Sequence, residues 1–150
     1  MKRLLALVFM TIVASGQTAT AENGAVPVLD ARDAIDVNLK DFLWVSRLVV
    51  VLADSPNDPR FIKQMEFLAG RPAELEARDV VVITDTDPDA RSSVRQDLRP
   101  RGFMLVLIGK DGKPYLRKPA PWDVREITRS IDKMPLRRQE IRDARRSGGS

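Results

Sequence analysis

Two uninterrupted apolar runs in the middle of the chain restrict its fold more than any other feature. Arg47-Leu-Val-Val-Val-Leu-Ala53 and Asp79-Val-Val-Val-Ile-Thr-Asp85 are short, rich in β-branched residues and lack polar alternation. Runs of that kind read as strands buried on both faces. Each is followed by an Asp-Pro pair, Asp58-Pro59 and Asp87-Pro88, which supplies a helix N-cap and a first-turn proline. Behind Pro59, the residues Phe61, Ile62, Met65 and Leu68 recur at helical spacing until Gly70. Behind Pro88, the residues Ala90, Val94 and Leu98 share one helical face until Pro100 ends it. Two strands joined in this way lie parallel, with a right-handed crossover.

Gly102–Ile108 is a third apolar run. Asp111-Gly112 signals a hairpin, with Tyr115–Arg117 as the return strand. Asp123 and Glu126 read as a capping box before Val124, Ile127, Ile131 and Met134. Pro135 breaks that helix, and Arg137–Arg146 suggests a short further one. The order strand–helix–strand–helix–strand–strand–helix predicts an α/β protein of thioredoxin-like (peroxiredoxin-like) fold, a single domain with a central mixed four-stranded sheet and flanking helices. Residues 22–46 are a lead-in in which Leu29, Ile35, Leu39, Phe42 and Leu43 suggest a short helix. Residues 47–136 are the domain, and 137–150 form a basic C-terminal tail. Trp44 is expected in the core. Trp122, just before the box, is expected as a hydrophobic staple.

The N-terminus has the pattern of a secretory signal peptide. Lys2 and Arg3 precede the apolar stretch Leu4–Ala14, and Ala19-Thr20-Ala21 is an A-x-A end. Cleavage is expected between Ala21 and Glu22, with a periplasmic or secreted product. The apolar stretch is short of the roughly 20 residues that span a bilayer, so no stable membrane span is expected after cleavage.

Charge and residue absences narrow the chemistry. Two of the 25 basic residues lie in the signal segment and five in the tail; two of the 21 acidic residues lie in the tail. The body therefore holds 18 basic and 19 acidic residues, a balance that argues against nucleic acid as a partner. There is no Cys and no His. Disulfides, thiol catalysis, Cys/His zinc sites and His-based triads are thereby excluded.

The segments Arg47-Leu-Val-Val-Val, Leu107-Ile-Gly-Lys-Asp-Gly112 and Ile131-Asp-Lys-Met-Pro-Leu-Arg-Arg-Gln-Glu140 resemble a thioredoxin-like domain-of-unknown-function family, number 4174. That family occurs in bacterial exported proteins and as a module of animal sushi-repeat and related matrix proteins. The resemblance covers roughly residues 42–141 and implies fold and export but no reaction. In thioredoxin-like enzymes the reactive thiol follows the first core strand. The matching stretch here, Asp54-Ser-Pro-Asn-Asp-Pro-Arg60, has none. Arg101 falls near the place where peroxiredoxins keep an Arg beside the thiol.

The expected topology brings the ends of the first two strands and the start of the third to one edge. Asp54, Asn57, Asp58, Asp85, Asp87 and Arg101 are the candidate ligand residues there, since ligand sites in open α/β sheets favour strand C-terminal ends. Asp58 and Asp87, each directly before proline, read first as helix caps, and Asp54 and Asp85 are also readable as strand-ending turn residues. Asp85-Thr-Asp-Pro-Asp89 has the alternate carboxylates of a calcium loop, but Ala90 and Gln96 stand where that loop needs Gly and Glu. No catalytic residue, cofactor or metal is assigned. The expected function is non-catalytic binding of an envelope protein or small ligand. The alternative is a carboxylate- or metal-dependent hydrolase using the acidic edge.

Overall fold

The computed structural model describes residues 26–149. The expected signal peptide and its Ala21–Glu22 junction lie outside the described residues. Five strands, β1 (Ala31–Asp33), β2 (Arg47–Leu52), β3 (Val80–Asp85), β4 (Met104–Ile108) and β5 (Pro114–Lys118), form one sheet in the order β1-β3-β2-β4-β5. β2 pairs parallel with β3 and antiparallel with β4, and β4 pairs antiparallel with β5. These are the four expected strands. The fifth, β1, comes from the lead-in and pairs parallel with β3. Its residues Ala31, Arg32 and Asp33 are all exposed, so backbone pairing rather than burial places it in the sheet, and no apolar periodicity marks it.

The buried runs behave as their composition requires. All six residues of β2 are buried. Val49 and Val51 face one layer with Leu68, Leu75, Ile127 and Ile131. Leu48, Val50 and Leu52 face the other with Phe42, Val94 and Leu98. The first layer is roofed by helices α1 (Pro59–Ala69), α2 (Pro72–Glu76) and α4 (Val124–Asp132). The second is covered by 3-10 turns at Ala34–Asp36 and Leu39–Phe42 and by α3 (Ser93–Leu98). Those 3-10 turns stand where one short lead-in helix was expected.

Three further expectations are corrected. Asp87-Pro88 opens only the 3-10 turn Pro88–Ala90, after which Arg91 adopts φ 49 and stops the coil. The helix itself starts at Ser93, with Ser92 as its cap. Pro135 does not merely end α4: Lys133 caps that helix, and Pro135 stands at the first position of α5 (Pro135–Ser147). The boundary at residue 137 thus falls inside a helix. Trp44 is not in the core; it is 69% exposed at φ 63.

The hairpin loop carries the glycine its turn requires. Gly112 has φ +76, and a Cβ there would lie 2.6 Å from Leu43 Cδ2. A side chain at 112 would therefore be both strained and obstructed. Asp123 caps α4 through the Arg125 N–H at 2.7 Å, while the Glu126 carboxylate turns towards Arg129 at 3.9 Å.

Candidate functional site

Register places the expected edge. Leu52 is level with Asp85 on β3 and with Met104 on β4. Asp54, just past Leu52, Asp85 at its strand end and Arg101, just before β4, therefore share one pole of the sheet. A shallow concavity of about 440 Å³ opens there, lined by Asp54, Ser55, Asn57, Asp58, Pro59 and Arg60. It occupies the place after the first core strand where thioredoxin-like enzymes carry their thiol.

Asp58 and Asp87 are each engaged at the start of the turn they precede, while Asp54 and Asp85 both face Arg95. Asp58 caps α1 through the Arg60 N–H at 2.9 Å and grips the same residue's guanidinium at 3.0 and 2.7 Å. That guanidinium holds the Asp58 carboxyl below its ordinary range, helped by the backbone amide. Asn57 donates its N–H to Ser55 Oγ at 3.1 Å, a turn that sets the entry to α1. Asp87 accepts from the Asp89 N–H at 3.0 Å and does no more than close its 3-10 turn. Arg101 is exposed.

The central element of the pole is a pair the sequence did not reveal. Asp85, only 5% exposed, accepts from Arg95 Nε at 3.0 Å and Nη2 at 2.8 Å. The Ser92 hydroxyl and the Asp87 N–H complete its shell. Burial pushes this carboxyl up, but Arg95, Ser92 and the Asp87 amide together outweigh burial and hold it below the ordinary range. Arg95 Nη2 also donates to the Ala53 carbonyl at 2.7 Å, and Nη1 lies 3.6 Å from Asp54. One guanidinium thus ties α3 to the ends of β2 and β3. Only Asp54 and Asp85 meet at a common residue, and that residue is a cation. Among the described residues no three carboxylates gather where they could hold a metal ion. The arrangement supplies neither the paired carboxylates nor the nucleophile–base contact that hydrolysis would use.

A second charge cluster lies at the opposite pole. Arg47, 1% exposed, donates to the Arg78 carbonyl at 2.9 Å and to Glu140 of α5 at 3.0 Å. Glu140 also meets Lys110 at 3.0 Å and Arg137 at 3.2 Å. Lys110 reaches Asp79 at 2.8 Å, and Asp132 takes a forked pair from Arg78 at 3.0 and 2.9 Å. Burial raises the Glu140 carboxyl, but Lys110, Arg47 and Arg137 reverse that and hold it below the ordinary range. Arg78 does the same for Asp132. Arg47, Lys110 and Glu140 come from the three segments on which the family resemblance rests. Those segments therefore meet in space as one structural lock. The available signal was a lone Arg heading an otherwise apolar strand, which must find a partner when buried.

Residues 38–140 match the family described as "Domain of unknown function (DUF4174)". Among solved structures, a Plasmodium vivax 2-Cys peroxiredoxin is similar at TM-score 0.54 and 15% identity, covering 64% of this chain and 81% of the peroxiredoxin. A chloroplastic thioredoxin z is similar at TM-score 0.53 and 22% identity, covering 73% of this chain and 98% of the thioredoxin. Both likenesses are of fold: the chain has a thioredoxin-like fold without the cysteine of that chemistry.

Proposed function

The chain belongs to the DUF4174 family, and from that premise we propose that it is an exported, non-catalytic binding module of the cell envelope. One observation carries this reading. Where the fold elsewhere holds a thiol, residues 54–60 form an open concavity whose carboxylates are already bound to caps and cations. A surface so arranged can recognise a partner, and its carboxylates face cations rather than a nucleophile or a second carboxylate. Asp54, Asn57 and the exposed Arg101 are the groups left for a protein or small ligand. Export rests on the basic, apolar and A-x-A succession of residues 2–21. The hydrolase alternative loses its motive, because the four aspartates do not converge.

A thermal-shift screen of residues 22–150 against envelope metabolites, divalent metals and peptides tests the binding role. A ligand at 100 times its dissociation constant adds about 2.7 kcal/mol and raises the midpoint visibly. That shift should vanish in Arg101→Ala or Asn57→Ala. Turnover of a substrate that is lost in Asp54→Ala would overturn the reading. Protein recovered from the envelope should begin at Glu22, and an unprocessed cytoplasmic chain would sink the export half.

A further inference from the structure

We propose that the pole of the sheet opposite the concavity docks on an anionic phospholipid surface, with Leu43-Trp44-Val45 entering the interface and the outer arginines of α5 meeting the phosphates. This goes beyond the ligand edge at residues 54–60 and does not depend on it.

The first observation is the apolar knob. Trp44 is 69% exposed and Val45 64%, with Leu43 partly exposed beside them. Trp44 sits at φ 63, a region costly for a bulky residue. Its N–H is held to the Lys110 carbonyl at 2.7 Å, so the strained conformation is fixed by the fold. Most of the residue stays in water, so little burial offsets the strain in the free protein. On one flank, Val45 borders a cleft of about 340 Å³ that also takes in Val28.

The second observation is α5, whose thirteen residues include no buried side chain. With Leu136 and the half-buried Ile141 as its large apolar residues, it contributes little to the core. It is held in its first two turns, through Glu140 to Arg47 and Lys110 and through Arg137 to Asp132. Its exposed charged residues are mostly basic: Arg138 and, beyond Glu140, Arg142, Arg145 and Arg146, with Asp143 as the opposing charge. Lys110 joins the two features, since its carbonyl binds the Trp44 N–H and its ammonium binds Glu140 of α5 at 3.0 Å. The knob and the Glu140 turn of α5 therefore meet at Lys110, and the outer arginines follow directly after that turn.

An anionic lipid surface matches both halves. Tryptophan settles at the headgroup level of bilayers, and basic residues near an anionic leaflet each strengthen attachment. A second copy of this chain fits less well, because a two-fold contact across this surface would bring like charges together.

The test uses residues 22–150, which contain the whole described fold, with cooperative melting as the check on folding. Vesicles of phosphatidylglycerol and phosphatidylcholine in equal parts should sediment the protein at low salt, and pure phosphatidylcholine should not. Arg142→Ala/Arg145→Ala/Arg146→Ala should weaken binding about a hundredfold, from roughly fivefold per charge. Trp44→Ala should weaken it about tenfold and Trp44→Phe much less, as suits an interfacial aromatic. In a Trp122→Phe background, Trp44 emission should shift to the blue on binding. A folded protein that ignores the anionic vesicles overturns the proposal, as does binding that survives both the triple variant and Trp44→Ala. Binding to polyglutamate but not to vesicles would overturn it in favour of an acidic protein. A dimer that Trp44→Ala dissociates, without vesicle binding, would overturn it in favour of a second copy.

Discussion

The carboxamide of Gln64 clasps the backbone of Trp122 from both sides: its Oε1 accepts from the Trp122 N–H at 2.7 Å, and its Nε2 donates to the Trp122 carbonyl at 2.9 Å. Gln64 is fully buried on α1, and Trp122 lies just before the cap of α4. A loop that enters the first core layer therefore has its polar groups satisfied by one side chain. Gln64→Leu keeps the volume and strands both backbone groups. The expected loss is about 2–6 kcal/mol, since each of the two unsatisfied buried groups costs about 1–3 kcal/mol. Urea unfolding measures it, and a loss below 1 kcal/mol would show that the loop finds other partners.

Asp85 and Arg95 form the buried pair that closes the pole near the concavity. Removing one partner of such a pair typically costs about 3–5 kcal/mol. Arg95→Met should approach that range, and because Arg95 also holds the Ala53 carbonyl, amide exchange should rise at the ends of both β2 and β3. Exchange confined to α3 would contradict the bridging role.

Ser92 and Asp87 separate two ideas of where the third helix begins. Ser92 accepts from the Arg95 N–H at 3.0 Å and donates to Asp85, whereas Asp87 closes only a 3-10 turn. Ser92→Ala should cost about 2 kcal/mol, a cap plus a hydrogen bond to a charged group. Asp87→Ala should cost about 0.5 kcal/mol, at the low end for a cap. Thermal unfolding of the two variants decides the order, and the reverse order would restore the helix start at Asp87.

Glu140 and Asp132 make the seating of α5 depend on pH. Both carboxyls are held below their ordinary range by neighbouring cations. A depressed folded-state value adds stability above the unfolded value, about 4 for such groups, and the gain is lost as pH falls through the folded value. Protection of the α5 amides, relative to their intrinsic exchange at the same pH, should therefore fall as pH drops below about 4, ahead of the buried strands. Glu140→Gln should cost about 2 kcal/mol at neutral pH, less than a fully buried break because Glu140 keeps some solvent. The same variant should flatten the acid dependence of α5. An α5 whose protection is unchanged by Glu140→Gln would show that the ionic lock does not hold it.

Local chemistry was readable along the chain wherever cause and effect lie within a few residues. The β-branched runs became β2 and β3 because a continuous apolar strand must be covered on both faces. Asp58 and Asp123 cap the helices they precede, since a cap acts across two residues. Gly112 turns the hairpin for the same kind of reason. At Asp87 the local rule still worked, but two caps competed within six residues, and the left-handed Arg91 between them gave the helix to Ser92.

Sequence alone therefore determined the fold class, the four main strands and the absence of thiol and imidazole chemistry. Those follow from side-chain type and short-range periodicity. Tertiary structure alone decided that β1 joins the sheet by backbone pairing, that Trp44 points to solvent and that the edge aspartates divide between helix or turn caps and Arg95. It also decided the two ionic locks, because Asp85 meets Arg95 across 10 positions and Arg47 meets Glu140 across 93. A charge on a surface helix looks the same in sequence whether it faces water or a buried partner. Only packing, by removing water from one side of it, chooses between the two.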